Sequence, residues 1–420
     1  MRSSLRYRFL TLLLLSVTLI VFVAACDNPT GSDSADGAAG GGDQDPTTPI
    51  AYTVTFDANG ADSGTVPSSI EYEEGETVTI PGNTGGLTQS GLQFGGWSTE
   101  PDGSGETYFD GASITVGSAD LTLYARWITF EFVAADATAL TEWRSVTYGG
   151  GLFVAVNGRR WSGEERTVMT SPDGVTWSAS PVPLDLQNGW RSVTYGNGSF
   201  VAVGWREDNR VMTSSDGINW TARQASEQNL WNSVTYGGGL FVAVSQSGDN
   251  RVMTSSDGIN WTAREAAEEN SWRSVTYGDG LFVAVSSSGT NRVMTSSDGI
   301  NWTARRAAGQ RVWRSVTFGN GLFVAVSMDG PNQVMTSPDG ISWTARESAE
   351  GNSWSSVTYG NGLFIAVSED GTNRVMTSPD GIDWTAEGAA EQREWESVAY
   401  GDGQFVAVSF ASDRVMYTPR

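Results

Sequence analysis

The sequence predicts an all-β protein whose larger part is a seven-bladed β-propeller, and two recurring phrases with their fixed spacing carry that prediction. One phrase, Ser171-Pro-Asp173-Gly174-Val-Thr-Trp177, recurs at Ser214–Trp220, Ser255–Trp261, Ser296–Trp302, Ser337–Trp343 and Ser378–Trp384. The other, Trp-x-Ser-Val-Thr-Tyr-Gly, opens each unit with minor changes at Trp143, Trp190, Trp231, Trp272, Trp313, Trp354 and Trp395. The interval is 47 residues once and then 41 five times, a period that four short strands fill. Units this small cannot bury their apolar faces alone and must stack on their neighbours.

Taken in order, the chain begins with an address. Arg2, Arg6 and Arg8 precede an apolar run from Phe9 to Ala25, the layout of a secretory signal. The run ends Val23-Ala24-Ala25-Cys26, which resembles the lipobox of bacterial lipoproteins. That resemblance implies cleavage before Cys26, a diacylglyceryl group on its sulfur and an acylated amine, hence a membrane partner reached through lipid. A plain transmembrane anchor is the alternative, since the run is barely long enough to span. Residues 1–25 are therefore expected to be a signal peptide. Residues 26–50, rich in Gly, Asp and Ser, are expected to be a disordered tether behind the lipidated cysteine. The expected location is the cell envelope, lipid-anchored and extracytoplasmic.

Composition narrows the chemistry. A formal charge of −23 lacks the basic footprint that nucleic acid requires. Histidine is absent, which removes the Ser-His-Asp arrangement and most transition-metal sites. Cys26 is the sole cysteine, so neither a disulfide nor a thiolate cluster is available. No cofactor or metal is expected, and the chain is expected to be a monomer.

Residues 51–127 read as a separate small module. Tyr52-Thr-Val54-Thr-Phe56 alternates and runs into Asp57-Ala-Asn59-Gly60, a strand followed by a turn. Phe94-Gly-Gly-Trp97, Tyr108-Phe109-Asp110 and Leu121-Thr-Leu-Tyr124-Ala-Arg-Trp127 follow. The series resembles the Listeria–Bacteroides repeat, also called the internalin B-repeat, with Ala61 where that family often has a second glycine. The resemblance implies a β-grasp-like module of bacterial surface proteins, used as a spacer or adhesion element. Phe56, Phe94, Trp97, Tyr124 and Trp127 are the expected aromatic core.

Residues 128–420 form the propeller. In one unit, Trp231–Tyr236 is a first strand, Leu240–Ser245 a second, Arg251–Ser255 a third and Asn260–Arg264 a fourth. The Asp-Gly step between the third and fourth suggests a two-residue hairpin. This phrase resembles the Asp-box, or BNR repeat, of sialidase-type propellers, one residue shorter because Asp and Gly are adjacent. The resemblance implies that Asp173, Asp216, Asp257, Asp298, Asp339 and Asp380 are folding elements away from the active face.

The last unit stops at Arg420 without a fourth strand. Phe132 lies 11 residues before Trp143, the spacing from each later turn tryptophan to the next opening one. Residues 128–137 are therefore expected to complete the last blade and hide its open edge.

Candidate ligand residues lie where the units differ. Arg144, Arg191, Arg273 and Arg314 follow an opening tryptophan, where other units have Asn232, Ser355 and Glu396. Such a cluster can hold a carboxylate. The competing expectation is exposed pairing with Glu227, Glu268 and Glu269. Trp161 and Trp205 are the two propeller tryptophans outside the repeat pattern, a stacking surface for a glycan or peptide. No residue stands out as catalytic. The expected function is a non-catalytic binding or adhesion platform for a glycan or surface-protein ligand. A sialidase-like hydrolase and an envelope assembly scaffold are the alternatives, because one fold hosts many functions.

Overall fold

The computed structural model describes residues 51–138, 142–158, 167–183, 189–206 and 208–420. Cys26, the signal, the tether and Trp161 lie outside the described residues. Within them all regular structure is β-strand, and no helix is long and apolar enough to cross a membrane.

Each unit folds into a four-stranded antiparallel sheet in chain order, and there are seven such sheets. In the third, Trp231–Gly237, Leu240–Ser245, Val252–Ser255 and Thr262–Arg264 pair consecutively. The seventh holds Trp395–Gly401, Gln404–Ser409 and Arg414–Tyr417, and its outer strand is Val133–Asp136 from the other end of the repeat region. There Val133 opposes Tyr417 and Asp136 opposes Arg414.

Strand alternation gives every sheet two apolar faces, and each face packs on a neighbouring sheet. Val154, Val156 and Val168 of the first sheet bury against Trp190, Phe200, Ala202 and Met212 of the second. The first sheet's other face, Phe153 and Ala155, packs on Val406 and Val408 of the seventh. The ring of sheets is thereby closed. Phe132, 7% exposed, sits among Val367, Val375, Trp395 and Met416, as Trp220 sits between the first two sheets.

The opening phrase now has a physical account. Its serine hydroxyl accepts a hydrogen bond from the valine N–H of the next sheet. The series runs Ser145 to Val193, Ser192 to Val234, Ser233 to Val275, Ser274 to Val316, Ser315 to Val357, Ser356 to Val398 and Ser397 back to Val146, all at 3.1–3.2 Å. Near the axis the sheets lie close enough for a short side chain to bridge them. The glycine that ends the phrase serves the same closeness. A Cβ on Gly149 would lie 2.1 Å from the Tyr195 ring, and the relation repeats around the ring to Gly401 and Tyr148. These glycines are not in the left-handed region, so space and not conformation selects them. The recurring tyrosines are therefore packing residues, each also stacked on a phenylalanine of its own sheet at 4.6–4.8 Å.

The Asp-Gly step differs from the expected two-residue hairpin. In the second sheet six residues, 215–220, separate the third and fourth strands. The aspartate side chain organises them. Across the six copies its Oδ1 accepts from the serine hydroxyl at 2.9–3.0 Å and from the N–H groups two and three residues on at 2.7–3.1 Å. The tight hairpins join first and second strands instead, as at Asn197-Gly198 with φ of 48° and 72°. Both kinds of turn lie at one end of the sheets.

In the small module a five-stranded sheet runs Ile70–Glu73, Ala51–Asp57, Leu121–Ile128, Gln93–Ser98, Thr107–Tyr108, with its first and last long strands parallel. Phe56, Phe94 and Trp97 are buried as expected, with Trp97 4.8 Å from Phe56 and 5.0 Å from Phe94. Trp127 is half-buried on that core, and Tyr124 is not part of it; Tyr72 fills the interior instead, its hydroxyl donating to the Ala119 carbonyl. Asn361 Nδ2, in the first hairpin of the sixth sheet, donates to the Phe94 carbonyl at 2.6 Å, and Phe109 lies on Gly403 of the seventh. The module thus docks at the turn-bearing end of the sheets.

Candidate functional site

The opposite end of the ring carries the residues that differ between units. In the opening strand a bulge separates the tryptophan from the serine, as between Trp190 and Ser192, and leaves the intervening residue outside the ladder. Those seven residues, Arg144, Arg191, Asn232, Arg273, Arg314, Ser355 and Glu396, line one small polar cup of about 110 Å³ at the ring's axis. Fourteen residues after each stands the first residue beyond the second strand, in order Gly158, Trp205, Gln246, Ser287, Met328, Glu369 and Phe410. Each of these donates its backbone N–H to the carbonyl preceding the opening tryptophan at 2.9–3.3 Å. Two variable rings are thus built on an invariant frame.

The four predicted arginines come together, and Glu396 joins them. Its Oε1 accepts from Arg144 Nη1 at 2.9 Å and from Arg314 Nη2 at 2.7 Å, with its side chain only 4% exposed. Burial would raise its pKa, but Arg314 and Arg144 outweigh that, and Glu396 is held below the ordinary value. The expected pairing with Glu227, Glu268 and Glu269 does not occur. Glu227 and Glu268 instead bind the side chains of Asn250 and Asn291 at 2.6 Å, while Glu269 meets Arg251 at 4.0 Å. The reason is distance along the fold. Those acids sit in sheet connections, whereas Glu396 occupies the arginines' own position in the seventh sheet.

The second ring shapes the cup. Arg191 lies 3.9 Å above the Trp205 ring and Arg144 3.6 Å above the Phe410 ring. The Arg191 guanidinium therefore covers one face of Trp205, and Trp161, the other tryptophan of the expected stacking surface, lies outside the described residues. Arg273 donates to Ser287 Oγ and Gln246 Oε1, both at 2.9 Å. Glu369 follows the second strand of the sixth sheet, near the Glu396 charge. Burial first, then Glu396, raises its pKa to about 7. Burial and the charges of Arg144 and Arg314 lower Arg191 to about 9, so it remains charged at neutral pH. Burial likewise lowers Arg273, with Arg314 adding to it. Four guanidiniums against the one carboxylate of Glu396 leave a positive cup on an acidic protein.

Gln246 and Phe410, in the variable loops that follow the second strands, do not line the cup but hold two of its arginines, Arg273 and Arg144. The six turn aspartates lie at the other end of the sheets, consistent with a folding role. A larger cleft, about 580 Å³, separates the small module from the sixth and seventh sheets and is lined by Trp127, Phe130, Leu363 and Arg420. It lacks the converging charges of the cup, which is the better candidate. Among the described residues no group of three acidic or cysteine side chains is placed to hold a metal.

Comparison with known proteins agrees with this architecture. Residues 52–126 match the Listeria-Bacteroides repeat domain, and residues 126–271 match the DUF6242 beta propeller domain. Two curated proteins of Evansella cellulosilytica are similar over a short stretch. One, provisionally named a Gly-rich membrane protein, is 39% identical over 80 residues, which is 18% of this chain and 9% of that protein. The other, provisionally named a membrane protein, is 41% identical over 76 residues, 18% of this chain and 11% of that one. The match thus spans about a tenth of each relative's length. Among solved structures, virginiamycin B lyase from Staphylococcus aureus superposes with a TM-score of 0.59 at 13% identity, over 69% of this chain and 99% of that one. YCF48 bound to D1 peptide gives 0.54 at 15%, over 70% and 98%. Likeness at such identities shows the β-propeller fold alone.

Proposed function

We propose that this protein is a non-catalytic cell-envelope lipoprotein, anchored through Cys26, that presents a seven-bladed β-propeller as a binding platform for an anionic glycan or protein ligand. The proposed organisation is a signal in 1–25, a lipidated tether in 26–50, a β-grasp-like module in 51–127 and the propeller in 128–420. The parallel pairing of the module's outer segments and the seven four-stranded sheets support it. Membrane association is supported by the lipobox-like Cys26 and by the names of the two relatives.

The observation that carries the binding reading is convergence. Residues that break the repeat gather at one mouth, and there they are predominantly cationic. Around the cup, loop arginines brace the connections: Arg292 Nη1 donates to the Ser287 carbonyl at 3.2 Å and Arg374 Nη1 to the Glu369 carbonyl at 3.0 Å. A mouth so braced is pre-organised for a ligand.

A sialidase-like hydrolase fits the carboxyl geometry poorly. Glycosidase pairs stand about 5–5.5 Å or about 6.5–9.5 Å apart to admit a glycosyl group or a water. Among the described residues the cup's lining holds a single carboxylate, Glu396, and two arginines already clamp it.

The test is a glycan and surface-extract screen with the detergent-solubilised full chain. Binding to anionic ligands is expected, with loss in the Arg191→Glu, Arg273→Glu double variant and retention in Asp257→Asn. Turnover of a fluorogenic sialoside, or binding indifferent to the double variant, would overturn the reading.

A further inference from the structure

We propose that the cleft between the small module and the sixth and seventh sheets is a second binding site, one that takes an organic ammonium ion carried on an apolar or aromatic body. It lies at the turn-bearing end of the sheets, away from the cup, and the charge it lacks is the opposite one. Its volume of about 580 Å³ falls within the roughly 300–1,000 Å³ of pockets that enclose whole small molecules. The walls come from both parts of the chain, which are held together where Asn361 Nδ2 donates to the Phe94 carbonyl at 2.6 Å and Phe109 lies on Gly403. Phe94, Trp127 and Phe130 supply aromatic surface. The Trp127 Nε1–H is spent on the Ala58 and Asn59 carbonyls at 3.3 and 3.0 Å, so the half-buried ring has only its π surface to offer a ligand.

A break in the repeat sets the charge. In the second to fifth sheets the outer strand ends in an arginine, Arg223, Arg264, Arg305 and Arg346, whose Nε donates to a third-strand threonine Oγ1 at 3.1–3.2 Å. The sixth sheet keeps the threonine, Thr377, and the register, with Glu387 opposite Val375 as Arg223 is opposite Val211, but it exchanges the arginine for a glutamate. Four sheets of the same build accept the arginine, so the sheet does not require the exchange. Glu387 is half-buried, and both it and Thr377 line the cleft. Among the described residues neither Glu387 nor Glu131, the other acid of the lining, has an ion-pair partner. The two lining cations are already engaged. Arg126 donates to the Gly95 and Arg420 carbonyls at 3.4 and 3.5 Å, and Arg420 pairs with Asp402. Asn361 Oδ1 and Gln89 Oε1, on two further lining residues, are buried without a hydrogen-bond donor. The Nδ2 bond to Phe94 fixes which end of Asn361 is left over. The cleft is therefore rich in unmet acceptors and short of uncommitted cations. A neutral sugar supplies no charge to Glu387. An ammonium ion brings both N–H donors and the charge, and aromatic rings attract it further.

Calorimetric titration of the full chain with 2-phenylethylammonium chloride tests this, with 2-phenylethanol as the uncharged counterpart and methyl β-glucoside as a neutral sugar. Binding at a single site is expected for the ammonium ion, about tenfold or more tighter than for the alcohol, because hydrogen bonds to a charged group are the stronger ones. Glu387→Gln and Glu387→Arg are each expected to weaken it roughly tenfold. The second variant restores the residue that four other sheets carry, with Thr377 as its acceptor, and is expected to melt with the parent. The comparison of ammonium with alcohol needs no variant, so a misfolded one leaves the experiment decisive. Equal affinity for ammonium and alcohol, tighter binding of the glucoside, or ammonium binding that survives both substitutions overturns the proposal. So does the absence of ammonium binding at millimolar concentration.

Discussion

Removing the Phe132 side chain is the sharpest test of how the ring closes. Phe132 precedes the four-residue strand that pairs with Arg414–Tyr417, and its ring is 7% exposed among side chains of the sixth and seventh sheets. Truncating a buried phenylalanine to alanine costs about 3–5 kcal/mol. Phe130, 5.4 Å away and edge-on, can fall partly into the space, which places Phe132→Ala at the lower end, about 3 kcal/mol. In a domain of this size each kcal/mol moves the melting temperature by about 2–4 °C, so a fall of about 6–12 °C is expected. Trp220→Ala is the internal yardstick, since Trp220 fills the corresponding place between the first and second sheets at 6% exposure. Calorimetry of the full chain reads both. If Trp220→Ala melts early while Phe132→Ala melts with the parent, the N-terminal strand does not fasten the ring and the reasoning fails.

Three further outcomes follow from the same geometry. Gly278→Ala would place a Cβ 2.1 Å from the Phe318 ring and is expected to cost about 1–3 kcal/mol, read as a lower urea midpoint with an unchanged slope. Asp216, Asp257, Asp298 and Asp339 are held below the ordinary aspartate value by backbone N–H donors, Asp339 at about 2. Their contribution is full above the unfolded value near about 4 and is lost as pH falls through the folded values. Acid titration should therefore show stability declining from about pH 4 downward, and less steeply with all four changed to asparagine. Glu396→Gln strips the shared anion from Arg144 and Arg314 in a buried setting. A loss of about 3–5 kcal/mol is expected in chemical denaturation, partly recovered by added sulfate, and equal stability with and without sulfate would count against the charge argument.

Period and phrase made the sheets legible because each sheet is local: four strands within 41 residues, joined by short turns. The closing strand was legible too, since an aromatic at the right interval before Trp143 is a positional signal. What escaped were the close polar and steric fits between sheets. Ser233 and Gly237 look like ordinary members of a strand, yet one holds Val275 and the other leaves room for Tyr277, partners about one repeat away. The misplaced two-residue hairpin has a similar cause. Asp-Gly and Asn-Gly look alike in sequence, but the Asp257 carboxylate finds two amides beyond itself and opens a longer turn. The Arg144–Glu396 pair joins residues 252 apart that become neighbours only when the first and seventh sheets meet. No local pattern announces such a pair.

The cup also separates two explanations of why the units differ. Positions between sheets are nearly identical because a serine, a glycine or a tryptophan there must satisfy the next unit. Positions at the mouth face the axis and escape that demand, so variation alone would mean little. Their chemistry carries the weight. On a chain with a formal charge of −23, unconstrained surface positions would hold acids more often than bases. Instead four guanidiniums crowd together in partial burial, where mutual repulsion and lost hydration both oppose them, and a single clamped carboxylate offsets only part of that charge. Such an arrangement costs stability unless an anion completes it. That shortfall of negative charge is what the proposed anionic ligand would supply.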